Sequence, residues 1–198
     1  MKSICIYCGS STGNGNTYRD AAILMGETLA QEGISLVYGG GGIGLMGIVA
    51  DTVIKNGGKV IGVIPRFLDE RELSHSNLSE LILVDTMHER KQIMADNADG
   101  FIAMPGGVGT FEEIFEAITW SQLKIHDKPC AFYNVNGFYD SISSSLDRAV
   151  TDGFINGGFR DAIYFESEPD TILTRFRTYC SPSSDKVEDA LSQTARKQ

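Results

Sequence analysis

The sequence predicts an α/β fold: a three-layer sandwich in which a mostly parallel sheet of about seven strands lies between two layers of helices. Three observations predict it. Short runs of β-branched and other apolar residues alternate with segments of helical periodicity. The runs are continuously apolar, as strands covered on both faces must be. Glycines cluster just after several strands, at the carboxyl edge where such sheets bind ligands.

In chain order, strands are expected at 3–8 (SICIYC), 34–38 (ISLVY), 59–64 (KVIGVI), 81–84 (LILV), 99–104 (DGFIAM), 129–134 (PCAFYN) and 162–165 (AIYF). Helical patterns fill most of the gaps, at 16–32, 44–57, 86–97, 110–124, 138–151 and 169–179. Neither a linker nor an internal repeat interrupts this alternation, so residues 1–180 read as one Rossmann-like domain. Residues 181–198 (SPSSDKVEDALSQTARKQ) read as a polar tail that frays, with a loose helix open at 186–195.

The bulk numbers exclude several functions. Of 198 residues, 42% are apolar, enough for a sizeable core. The formal net charge of −9 argues against nucleic-acid binding, which needs basic surface. No apolar run approaches membrane-spanning length, and the N-terminus is too rich in turn residues for a signal peptide. Cys5 and Cys8 lie three apart on one strand and so face opposite sides of the sheet, a poor chelate or redox couple. Cys130 is expected to close a strand and Cys180 to sit near the tail. Together these predict a reduced, cytoplasmic protein. His75 and His126 lack metal-ligand spacing, and neither a metal nor a cofactor is expected.

Three glycine turns carry the chemistry. In YCGSS (7–11), Gly9 frees the backbone and Ser10 and Ser11 offer hydroxyls, although a plain turn explains this stretch equally well. In VYGGGGIGLMGIVAD (37–51), Gly41 and Gly42 belong to a tight path after the second strand, and Gly42, Gly44 and Gly47 have the spacing of a close turn followed by close helix packing. No Gly-Lys-Ser/Thr follows, so this is not a Walker A loop; nor does an acidic residue close the third strand, as the dinucleotide fingerprint requires. Phosphate contact and pure backbone packing both remain open here. In FIAMPGGVGTFEEIFEAITW (101–120), Gly106 and Gly107 turn the chain, and Gly109 and Thr110 begin a helix whose free N–H groups and dipole favour an anion. Thr110 is placed to cap that helix or to bond a phosphate.

On a helical wheel, Phe111, Ile114, Phe115, Ile118 and Ile125 gather on one face, within about 60° of Phe111. Glu113 falls on a second, partly apolar face with Ala117 and Trp120, while Glu112 points between the two. Glu113 is therefore the active-site candidate; the alternative is that both glutamates merely stabilise a helix start. The basic partner lies in VDTMHERKQIMADNADG (84–100). Asp85 or Thr86 can cap its helix. Arg90 shares the apolar stripe of Met87, Met94 and nearby Ile93, where a charge needs a partner, and Lys91 is placed to reach the same anion. His88 reads as a surface histidine. In the polar crossover FLDERELSHSNLSE (67–80), Glu72 is placed to bond a base or sugar.

These residues resemble the LOG family, often mislabelled as lysine decarboxylases, whose members are phosphoribohydrolases that release a cytokinin or adenine base from the nucleoside 5'-monophosphate. The family pattern PGGxGTxxE matches Pro105 through Glu113 without a gap, and a second marker is present as Met87-His88-Glu89-Arg90-Lys91. The stretch 39–47 is similar to the family's first phosphate-side loop, and the likeness runs from residue 2 to about 180. The resemblance implies that Arg90 and Glu113 are the catalytic pair. It implies substrate contacts from Glu72, Arg90, Lys91, the segment Gly107, Val108, Gly109, Thr110, Phe111, Glu112 and Glu113, and Thr119. It also implies a homodimer with its site near the subunit interface, which would suit the face at Ala117 and Trp120. On this reading Glu113 both stabilises charge at C1' and takes a proton from the attacking water, and Arg90 lowers its pKa, making it a better electrostatic stabiliser than strong base. Molybdenum-cofactor carriers share similar glycine loops and stand as the competing, non-catalytic class.

Overall fold

A computed structural model describes residues 1–69 and 74–182. Glu72, and the tail from 183 onward with its possible helix, lie outside the described residues. Seven strands form one sheet: β1 (Ser3–Tyr7), β2 (Ser35–Tyr38), β3 (Val60–Pro65), β4 (Glu80–Val84), β5 (Phe101–Ala103), β6 (Cys130–Tyr133) and β7 (Ile163–Glu166). Their order is β4-β3-β2-β1-β5-β6-β7, and every pairing is parallel. The helices are α1 (Thr17–Gln31), α2 (Gly44–Lys55), α3 (Arg66–Asp69), α4 (Met87–Asp96), α5 (Val108–Gln122), α6 (Asp140–Thr151), α7 (Gly157–Asp161) and α8 (Pro169–Arg177).

Two cores flank the sheet. Met25 and Leu29 of α1, Leu45 and Val49 of α2 and Leu173 and Phe176 of α8 pack on one face with Ile4 and Leu36. Met94 of α4, Ile114 and Ile118 of α5 and Phe159 of α7 pack on the other with Cys5, Phe101 and Phe132. Side chains alternate across a strand, so Cys5 and Cys8 fall in opposite cores, as their spacing requires. Both thiols and that of Cys130 are buried, and burial pushes their pKa values up, away from reactivity. Cys130 opens β6 rather than closing it.

The chain leaves β1 toward β2 on one side, whereas β5 is added on the other, so the order reverses between β1 and β5. Loops leaving the carboxyl ends of two such neighbours diverge and open a crevice. The first and third glycine turns are those two loops.

Candidate active site

The three turns are bonded to one another. Gly9 N–H donates to the Pro105 carbonyl (3.1 Å) and Leu45 N–H to the Gly9 carbonyl (3.0 Å). Gly44 has φ +63°, and a Cβ there would lie 2.2 Å from the Ser10 carbonyl carbon. Only glycine suits that backbone, so the first and second turns share one close contact. Gly9 and Gly41 are buried; Ser10 and Gly42 are exposed at the rim.

The third turn differs from expectation in register. Helix α5 starts at Val108, with Gly107 as N-cap. Thr110 is thus the third helical residue, buried, and makes no side-chain cap. The first intrahelical bond runs from Phe111 N–H to the Gly107 carbonyl (3.2 Å), leaving the N–H groups of Val108, Gly109 and Thr110 without a helical acceptor. Glu112 and Glu113 lie beyond the first turn, so their task is not to complement the dipole. The far end also differs. Lys124 adopts φ +59°, and Ile125 N–H closes onto the Trp120 carbonyl (2.9 Å), ending the helix and leaving Ile125 exposed rather than on the apolar face.

Helix α4 brings the cations to α5. Thr86 caps it, its hydroxyl accepting from Glu89 N–H (3.1 Å), while Glu89 reaches back to Asp85 N–H (2.9 Å). Arg90 is buried beside Met94, but Met87, at the first helical position, is exposed rather than part of that stripe. The Arg90 guanidinium donates to Glu113 Oε1 (3.0 Å), the Val63 carbonyl (3.0 Å) and the Gly39 carbonyl (3.2 Å). It lies so close to the second turn that a Cβ on Gly39 would stand 1.9 Å from Nη2. The pair is about nine-tenths buried on both sides, with side-chain exposures of 10% and 12%.

Burial raises the Glu113 pKa, and it outweighs the opposing pull of Arg90. Arg90 does pull this pKa down, as expected, but at such burial the loss of hydration exceeds one ion pair, so the net shift is upward rather than downward. Lys91 takes a different anion. Its Nζ binds Glu112 and Glu116 (3.0 Å to the latter) rather than Glu113. Glu116 was not legible as a partner, although its i, i+4 spacing from Glu112 puts both on one helix face. On the second face of α5, Ala117 is buried in the core and the half-buried Trp120 packs against that core. Thr119 is exposed, its hydroxyl bonded to the Phe115 carbonyl (2.7 Å).

A cavity of about 260 Å³ opens where the first and third turns part, lined by Gly9–Gly13, Tyr18, Leu45, Pro105–Gly107 and Phe138. It lies toward α1 and α2, whereas the Arg90–Glu113 pair lies between α4 and α5. The two flank the amino end of α5. Among the described residues no group of His, Cys, Asp and Glu could hold a metal, and no helix is long and apolar enough to cross a membrane.

Comparison with known proteins fits this geometry. A family model described as "possible lysine decarboxylase" matches residues 46–176. A cytokinin riboside 5'-monophosphate phosphoribohydrolase of Arabidopsis thaliana is 46% identical over 187 residues, 94% of this chain and 88% of its own length. A second from that plant is 47% identical, over 94% and 87%. A probable enzyme of the same name from Oryza sativa subsp. japonica is 46% identical, over 94% and 74%. Among solved structures, a molybdenum cofactor binding protein of Rippkaea orientalis superposes with TM-score 0.68 at 20% identity, covering 90% of this chain and 97% of that one. The Moco carrier protein of Chlamydomonas reinhardtii gives 0.66 at 18%, covering 89% and 96%. At such identities these two show a shared fold alone.

Proposed function

The chain belongs to the LOG family of phosphoribohydrolases, and from that premise we propose that it hydrolyses the N-glycosidic bond of adenine-type nucleoside 5'-monophosphates, cytokinin ribosides or AMP, to free base and ribose 5-phosphate. The observation that carries the chemistry is the buried Arg90–Glu113 pair beside a helix N-terminus whose first three N–H groups have no helical acceptor. Departure of the base builds positive charge on the ribose. Ionised Glu113 stabilises that charge and takes a proton from the water that attacks C1'. Its raised pKa makes it a stronger base than a solvated carboxylate, so general-base work weighs more than the sequence suggested. Arg90 orients the carboxylate and supplies a nearby cation.

The 5'-phosphate sits on the N–H groups of Val108, Gly109 and Thr110, within reach of the first turn at Gly9 and Ser10 and the second at Gly41, Gly42 and Gly44. Glu72, Lys91, Phe111, Glu112 and Thr119 are proposed further substrate contacts on the family likeness. We also propose a homodimer. Leu81 and Leu83 on the edge strand β4 and Met87 at the start of α4, each 37% exposed, give it an apolar face beside the site.

The test is chromatographic base release from AMP and isopentenyladenosine monophosphate, with GMP, CMP and adenosine alongside. Release from adenine monophosphates but not from adenosine supports the phosphate seat. Equal release from adenosine removes it. Sedimentation at micromolar concentration tests the dimer.

A further inference from the structure

Residues 74–77 lie as a strap across the second glycine turn. Ser74 bridges Gly41 in antiparallel fashion, and His75 N–H donates to the Gly40 carbonyl (2.9 Å). The His75 side chain is 93% buried, unusual for a loop histidine. Its Nδ1 accepts from Asn77 N–H (3.1 Å), which leaves the neutral ring's Nε2–H to donate to Asp51 Oδ1 on α2 (2.9 Å). Gly40, directly under this clamp, has φ +75°, and the carbonyl of the preceding Gly39 accepts from Arg90 Nη2 (3.2 Å). A continuous path of short contacts therefore runs from Asp51 through His75 and the glycine backbone to Arg90, and from Arg90 to Glu113.

We propose that His75 is a positioning residue: held by Asp51, it fixes the Gly39–Gly41 backbone so that the Gly39 carbonyl orients the Arg90 guanidinium against Glu113. The inference rests on the hydrolase reading of that pair, yet it is separable from it. A guanidinium with three acceptors in three segments has one orientation. Release of the Gly39 carbonyl lets it turn away from Glu113, weakening both its grip and its electrostatic pull on the carboxylate. Asp51 is itself 72% exposed and packs little, so its removal tests the path with small damage to the fold.

The experiment compares the wild type with His75→Ala, His75→Gln and Asp51→Ala in the full chain. Steady-state release of adenine from AMP is followed across pH, and the Glu113 carboxyl is titrated by carbon NMR. Among the described residues the charged groups facing Glu113 are Arg90, Lys91, Glu112 and Glu116, the buried Cys5, Tyr7 and Cys8 face it from the sheet, and none of them is altered. Expected for His75→Ala and Asp51→Ala is a fall in kcat of about tenfold to a hundredfold with little change in KM. The Glu113 midpoint and the acid limb of the rate profile should both move to higher pH, because the lowering pull of Arg90 is weakened. His75→Gln, which keeps an amide donor toward Asp51, should restore much of both. An unmoved Glu113 midpoint in folded Asp51→Ala overturns the proposal, whatever the rates. A moved midpoint in a protein that releases no base from any nucleotide supports the positioning path and removes the hydrolase reading instead.

Discussion

Two adjacent cations on α4 meet neighbouring carboxylates on α5, and the two meetings differ in kind. Arg90 and Glu113 are both about nine-tenths buried, one to one, with the guanidinium's remaining donors fixed by the Val63 and Gly39 carbonyls at the strand ends. Lys91 is as deeply buried but shared between Glu112 and Glu116, whose side chains are 52% and 25% exposed. One step of about 100° around the helix separates them. It turns one cation toward the glycine turns and the other toward the rim of the α4–α5 contact. Electrostatics follow suit. Burial raises the Glu113 pKa despite its partner. Burial pulls the Lys91 ammonium down, but its two carboxylates more than offset that, and its pKa ends above the ordinary value. The lesson is that a motif of consecutive charges can hold a deeply buried one-to-one pair and a shared, partly solvated one side by side.

The largest expected effect separates these two directly. Glu113→Gln should lower kcat by about a thousandfold with KM nearly unchanged, since general-base and charge-stabilising roles are worth about 10²–10⁴ in rate. Glu116→Gln, on the Lys91 side, should stay within about twofold in kcat. Equal losses in the two would erase the distinction. Next in size, Arg90→Met should lower kcat by about a hundredfold and cost about 3–5 kcal/mol in urea unfolding, because it strands a buried carboxylate and two carbonyls. Lys91→Met should cost only about 1 kcal/mol, its partners being partly solvated and free to turn to water.

The smallest effect sharpens the comparison through pH. A carboxylate whose pKa is raised on folding adds stability that is complete below its unfolded value, near 4.5, and lost as pH rises through the folded value. Wild type should therefore lose stability relative to Glu113→Gln across that window, and thermal melts of the two at several pH values read it. The reverse slope would mean that Arg90, not burial, dominates. The same raised pKa places the acid limb of base release above the range of an exposed glutamate.

How much of this was legible in the sequence depends on the range of the forces involved. Strand runs such as ISLVY and CAFY are continuously apolar because helices cover both faces, and that pattern is local. The short helices α3 and α7 and the turn at 135–137 carry too few residues for any period to show. The sequence places the start of α5 two residues late, since Gly109-Thr110 looks like a turn and a cap. The actual cap is the backbone of Gly107, and Thr110 is buried. Arg90 was legible as a buried cation in need of a partner. That Lys91 would choose Glu112 and Glu116 was not, because it depends on the rotation of α4 against α5. The direction of the Glu113 shift depends on depth, which no motif records. His75 and Asp51 meet across 24 residues, in the fold alone.

The most direct test of the central claim is base release from AMP by wild type and Glu113→Gln under saturating substrate, with nucleotide binding by the variant measured in parallel. The predicted result is adenine and ribose 5-phosphate from wild type, loss of about a thousandfold in the variant, and binding preserved. Wild-type turnover in Glu113→Gln would contradict the account, since among the described residues Glu113 is the carboxylate held against Arg90.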